Sequence, residues 1–170
     1  KSSQQTFIDN PNNDACHTVA NLICQQKVPA AHTFLSANKI RPFDLVKIVQ
    51  LVTQFTSTLS SEKQQVDAIH ASLVHFLMTQ RFVLLDAALY KVCNALEKAN
   101  LLDLYVQTCS DAQNSQEKKK FNISLFGSHL QIVCLKKLER YQDALQFIIK
   151  FAEQQGQQVS RFVTLELLRV

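Results

Sequence analysis

Phe82, Leu85, Leu89, Val92, Cys93 and Leu96 fall at i, i+3, i+7, i+10, i+11 and i+14. That spacing lines one face of a helix turning every ~3.6 residues, so a helix is predicted over 82–99. The same period recurs along most of the chain. Val19, Ala20, Leu22 and Ile23 mark a first helix over about 14–26, with Asp14 as its cap. Pro29 suits a first helical position and opens a short helix over about 29–38. After the connector KIRP, residues 43–59 set Leu45, Ile48, Val49, Val52, Phe55 and Leu59 on one face, with Val46 and Leu51 off it. A helix apolar on more than one side is one sandwiched between neighbours. Ser60 and Ser61 with Gln64 read as a capping box for a helix over 62–80, which carries Val66, Ile69, Leu73, Phe76 and Leu77. A shorter helix is predicted over 101–109, and three more over 123–138, 141–155 and 158–170. The second of these three turns Ala144, Leu145, Ile148, Ile149 and Ala152 inward, and Gly156 follows its end. Two polar stretches lack the period. Residues 1–13 read as a flexible arm, and Ser110 to Asn122 as a loop.

The helices are arranged in a recurring order. Ala31, Ala88 and Ala144 follow one another at nearly equal intervals, each near the start of a helix that comes after a polar corner: QQK, TQR or KLER. A small side chain at such a corner lets two antiparallel helices approach closely. The expectation is an all-α fold of about nine helices, stacked as a right-handed, α-solenoid-like array of three roughly 56-residue units. The units are 14–59, 62–109 and 123–170 within one domain over 14–170, read as excised from a longer protein.

The segment SHLQIVCLKKLERYQDALQFIIKFAEQQGQQVS resembles a pentatricopeptide or tetratricopeptide helix pair. The shared features are the polar corner, DAL opening the second helix, and a glycine after it. SLVHFLMTQRFVLLDAALYKVCNALEKAN is similar. Those families repeat at about 34 residues, well short of the interval between the alanines here, and a three-helix unit is nearer in length to armadillo or HEAT repeats. The resemblance implies a binding function. Pentatricopeptide repeats read bases with polar side chains in the first helix of each pair. The matching positions here are Cys16, Leu73 and His129, two of them poor base readers.

Composition supports helices and narrows the chemistry. Two glycines and three prolines in 170 residues are too few for a sheet-rich fold or a phosphate loop, against usage of about 7% for glycine alone. No nucleotide-binding, serine-hydrolase or zinc-protease motif is present, and the carboxylates and five histidines form no pairing suited to catalysis. The domain is therefore read as non-enzymatic, with no cofactor and no metal. The five cysteines, Cys16, Cys24, Cys93, Cys109 and Cys134, show neither a disulfide spacing nor C-x-x-C, and read as small buried hydrophobes. They suggest a reducing intracellular compartment: cytoplasm, nucleus or mitochondrial matrix. No apolar run reaches the ~18 residues needed to span a bilayer, so membrane insertion is not expected.

The net charge of +4 concentrates at the C-terminal end, where residues 116–170 hold nine Lys/Arg against five Asp/Glu. Two functions fit: a scaffold or recruitment domain that binds another protein, and an RNA-binding accessory domain of a larger RNA-processing protein such as a nuclease. The phosphate-contacting candidates for the second are Lys91, Lys98, Lys118, Lys119, Lys120, Lys136, Lys137 and Arg140. Solubility and complementing helix C-termini are the ordinary uses of such charges.

Overall fold

The computed structural model describes residues 11–38, 40–59, 61–81, 86–114 and 123–155. These residues form eight α-helices and no strand: α1 Pro11–Cys24, α2 Val28–Ala37, α3 Asp44–Ser57, α4 Lys63–Met78, α5 Asp86–Lys98, α6 Leu102–Asn114, α7 Leu125–Lys137 and α8 Tyr141–Gln155. The helix expected over 158–170 and most of the expected arm lie outside the described residues. No described helix is long and apolar enough to cross a membrane.

Boundaries depart from expectation where local chemistry competes. α1 starts at Pro11, ahead of Asp14, because proline fits a first helical turn at no hydrogen-bond cost. Glu62 rather than Ser61 is the N-cap of α4, and it makes no side-chain cap bond; Ser60 lies outside the described residues. α6 runs to Asn114, into the expected loop. Its polar end is held by side chains, Gln107 Nε2 donating to Asp111 Oδ1 at 2.8 Å and Thr108 Oγ1 to the Leu104 carbonyl at 2.7 Å.

The helices pack as two interleaved series. α1 packs on α3, α3 on α5 and α5 on α7; α2 packs on α4 and α4 on α6. Sequential partners join the series, α1 with α2, α3 with α4, α5 with α6 and α7 with α8. Three pairs turn through the same corner. Gln26, Asn100 and Glu139 take left-handed backbone (φ 61°, 59° and 58°). In each, the N–H of that residue bonds three residues back and the next N–H bonds five back: Gln26 to Ile23 and Lys27 to Leu22, Asn100 to Glu97 and Leu101 to Leu96, Glu139 to Lys136 and Arg140 to Leu135, all at 2.8–3.0 Å. This is the Schellman closure of a helix C-terminus.

The packing does not bear out the three-unit alignment. The first bonded N–H groups of the even helices belong to Ala31, Val66, Tyr105 and Ala144. These follow one another at about 35–39 residues, close to the length of a helix-pair repeat. Ala31 and Ala144 are equivalent; Ala88 sits in α5, an odd helix packed on α3, α6 and α7. All three alanines are fully buried. The TQR corner is not a Schellman turn, and the KAN segment at the end of α5 is.

The core runs through both series. Val19, Ile23, Leu45, Ile48, Val49, Val52, Ile69, Leu73, Phe76, Leu89, Val92, Leu96, Tyr105 and Leu130 are among its buried members. Phe55 and Ile149, expected inside, are 44% and 49% exposed. α7 is buried on every side from Phe126 to Leu135, enclosed by α4, α5, α6 and α8. Its start is tied to the end of α4: the Ser124 N–H and Oγ both donate to the Met78 carbonyl, at 2.8 and 3.0 Å. Gly127 permits the approach, since a Cβ there would lie 2.9 Å from Met78 Cα and the carbonyl carbon, nearer still to its oxygen.

Candidate functional site

α2 and the end of α4 enclose a cleft of about 760 Å³. Pro29 in the first turn of α2 starts that helix, and α2 then presents His32, Thr33, Leu35 and Ser36 to the cleft. α4 contributes His75, and its C-terminal exit contributes Thr79, Gln80 and Arg81. Val28 and Ile40 complete an apolar part of the wall.

The polar residues are placed by the needs of a helix end. The last carbonyls of a helix lack intrahelical donors and must find others. Thr79 Oγ1 donates to the His75 carbonyl at 2.8 Å, and Gln80 Nε2 to the Phe76 carbonyl at 2.8 Å. His32 Nε2 lies 2.7 Å from Thr79 Oγ1. Because the Thr79 hydroxyl hydrogen is committed to the His75 carbonyl, His32 Nε2 is the donor in this contact and its Nδ1 is an acceptor. Gln80 Nε2 reaches that Nδ1 at 3.5 Å. The imidazole also stacks on Phe76, with centroids 4.9 Å apart. The network requires neutral His32, and burial, with His75 and Arg81 nearby, pushes its pKa below the ordinary value.

Of the basic residues expected to contact phosphate, three make polar or ring contacts with described residues. Lys91 Nζ lies 5.5 Å from the centre of the Phe43 ring at the start of α3. Lys137 pairs with Glu97 at 3.6 Å, which sets the C-terminal ends of α5 and α7 side by side. Arg140 pairs with Asp143 at 2.9 Å. Lys98 is exposed and Lys136 half-buried. Lys118, Lys119 and Lys120 lie outside the described residues. Cys16, Leu73 and His129, at the positions where a base code would be read, are buried.

Cys16, Cys93, Cys109 and Cys134 are buried and Cys24 is half-buried; all five are free thiols. Burial pushes the Cys16 and Cys24 thiols up to about 11 and Cys109 to about 12. Cys93 is lowered by its hydrogen bond with Cys134, whose own thiol burial pushes up. Cys93 is buried and is not among the residues lining the cleft. Among the described residues no cluster of three or more His, Cys, Asp and Glu is placed to hold a metal.

The cleft is not legible from periodicity or motifs. His32 and His75 are distant in sequence and meet only because α2 packs on α4. The available signal was local: Thr79, Gln80 and Arg81 at a helix end with no glycine to close it. Family models, curated proteins and solved structures offer no match to this chain.

Proposed function

We propose that the chain is a non-catalytic helical-repeat domain that recruits or scaffolds another protein. The observation that carries this reading is the stacking of like helix pairs, three of them closed by one hydrogen-bonded corner, each odd helix packed on the next odd one. Pairs stacked this way form an α-solenoid-like array, which buries its core between neighbours and leaves an extended surface for a partner. A spacing of about 35–39 residues between equivalent positions supports the resemblance to tetratricopeptide-type pairs, whose period is about 34. A half-polar cleft between α2 and α4 and exposed apolar side chains at Phe43, Phe55, Leu125, Tyr141 and Ile149 suit a protein ligand. The pairing of Lys137 and Arg140 with carboxylates, and the burial of the base-reading positions, weigh against RNA.

Photo-crosslinking tests the reading. A benzoylphenylalanine placed at Ser36 beside the cleft, or at Phe55, should yield a discrete protein adduct that survives nuclease. The same group at exposed Gln107 should not. The adduct partner, once purified, should bind the unmodified domain. Adducts that disappear with nuclease, or form equally at all three positions, contradict it.

A further inference from the structure

The cleft has a chemistry of its own, and resting on the protein-interaction reading it specifies the part of a partner that fits. Its described lining carries one guanidinium, Arg81, and two imidazoles, His32 and His75, and no carboxylate. Arg81 is exposed at the cleft edge and makes no ion pair with a described residue. Gln80 is 1% exposed, and both of its hydrogen bonds leave from Nε2, to the Phe76 carbonyl and to His32 Nδ1. Its Oε1 is therefore, among the described residues, an uncommitted acceptor in a side chain that lines the cavity. Val28, Leu35 and Ile40 supply apolar wall.

A ligand matching these groups needs three things at short range: a carboxylate for the guanidinium fork, an N–H for the Gln80 oxygen, and an apolar side chain. We propose that the cleft captures the free C-terminus of a partner polypeptide ending in an aliphatic residue. The terminal carboxylate pairs with Arg81, the last backbone N–H donates to Gln80 Oε1, and the aliphatic side chain rests on Val28, Leu35 and Ile40. Terminal-carboxylate capture is a known mode of peptide recognition, and a guanidinium fork can hold a carboxylate by two charge-assisted hydrogen bonds. A cavity of about 760 Å³ lies within the range of ligand pockets, about 300–1,000 Å³, and has room for a short peptide end. A free fatty acid offers the carboxylate and the apolar chain but no N–H for Gln80.

The test is a titration of the whole 170-residue chain with acetyl-Ala-Leu-Leu carrying a free C-terminus, followed through the imidazole resonances of His32 and His75. Three comparisons accompany it: the C-terminal amide of the same peptide, octanoate, and the Arg81→Gln variant, whose exposed position leaves the fold intact. The free acid should perturb both histidines, with the amide and octanoate each at least tenfold weaker and Arg81→Gln reducing affinity at least tenfold. Equal binding of acid and amide, equal binding of octanoate, an unaffected Arg81→Gln variant, or no response of either histidine overturns the proposal. If the peptide fails while the Ser36 crosslink still yields a protein partner, the cleft assignment falls and the interaction reading stands. If both fail, the interaction reading falls with it.

Discussion

Single residues decide how closely these helices can approach. Gly127 faces the Met78 backbone, and a methyl group there collides with atoms that cannot rotate away. Helix propensity favours alanine over glycine by about 1 kcal/mol, but overpacking costs about 1–3 kcal/mol, and the collision is with backbone. Gly127→Ala should therefore lower stability by roughly 1–2 kcal/mol in urea unfolding; an unchanged or raised midpoint contradicts the close approach. Histidines carry a second prediction. Burial lowers the pKa of His32, His70 and His75 below 6.5, so the unfolded chain takes up protons before the folded one does. Stability is fully present above about pH 6.5 and is lost as pH falls from there through the folded-state values. Urea midpoints should fall between about pH 7.5 and 5.5. His70→Gln, able to keep a contact with Thr56 Oγ1, now 3.1 Å from His70 Nε2, should reduce that fall. A pH-independent midpoint would refute the assignment. The cysteines show how far a residue type can be read without a structure: scarce, irregularly spaced thiols in a helical chain behave as core residues, and four of the five are buried. Gln80 could not be read that way, since its importance comes from a carbonyl four residues back and a histidine in another helix.

At the scale of the helix, periodicity located seven of the eight described elements to within a few residues, because an amphipathic stripe is a local property of sequence. The exception was the end of α6, where side-chain bonds extend the helix beyond its apolar stripe. Corners were less legible. A polar triplet marks a turn but not its backbone: QQK and KLER close by left-handed residues, and TQR does not. The corners yield a contrast. Non-glycine residues in left-handed backbone carry a steric cost of about 1 kcal/mol, so Gln26→Gly and Glu139→Gly should raise stability by about 0.5–1 kcal/mol. Glu62→Gly, at a corner with φ −116°, should lower it. Stabilisation of all three, or of none, would contradict the shared corner. α7 supplies the other test at this scale. Leu130 is enclosed and Leu125 half-exposed, so Leu130→Ala should cost about 2–5 kcal/mol and Leu125→Ala within about 0.5 kcal/mol. Equal losses would contradict the burial of α7 on all sides.

For the whole molecule, the order of packing mattered more than the list of elements. Aligning the alanines suggests a long, three-helix period, because Ala88 is buried in a helix that begins much as α2 and α8 do. The hydrogen bonds that open the even helices are spaced more closely, at about 35–39 residues. Small-residue matches cannot separate these readings, since tight packing is required at every helix crossing; backbone bonding at the corners can. The same packing brings α2 against α4 and so creates the cleft, and it sets Lys137 beside Glu97, which tempers the basic end of the chain. Everything proposed for this array rests on its binding protein rather than RNA. Titration of labelled single-stranded RNA at about 50 and 200 mM salt decides between them, since phosphate contacts weaken most visibly over that range. No saturable binding is expected at micromolar protein, even at the lower salt. Micromolar affinity that falls steeply at the higher salt, and is lost when Lys136, Lys137 and Arg140 are changed to Glu, would contradict protein recruitment as the role of this surface.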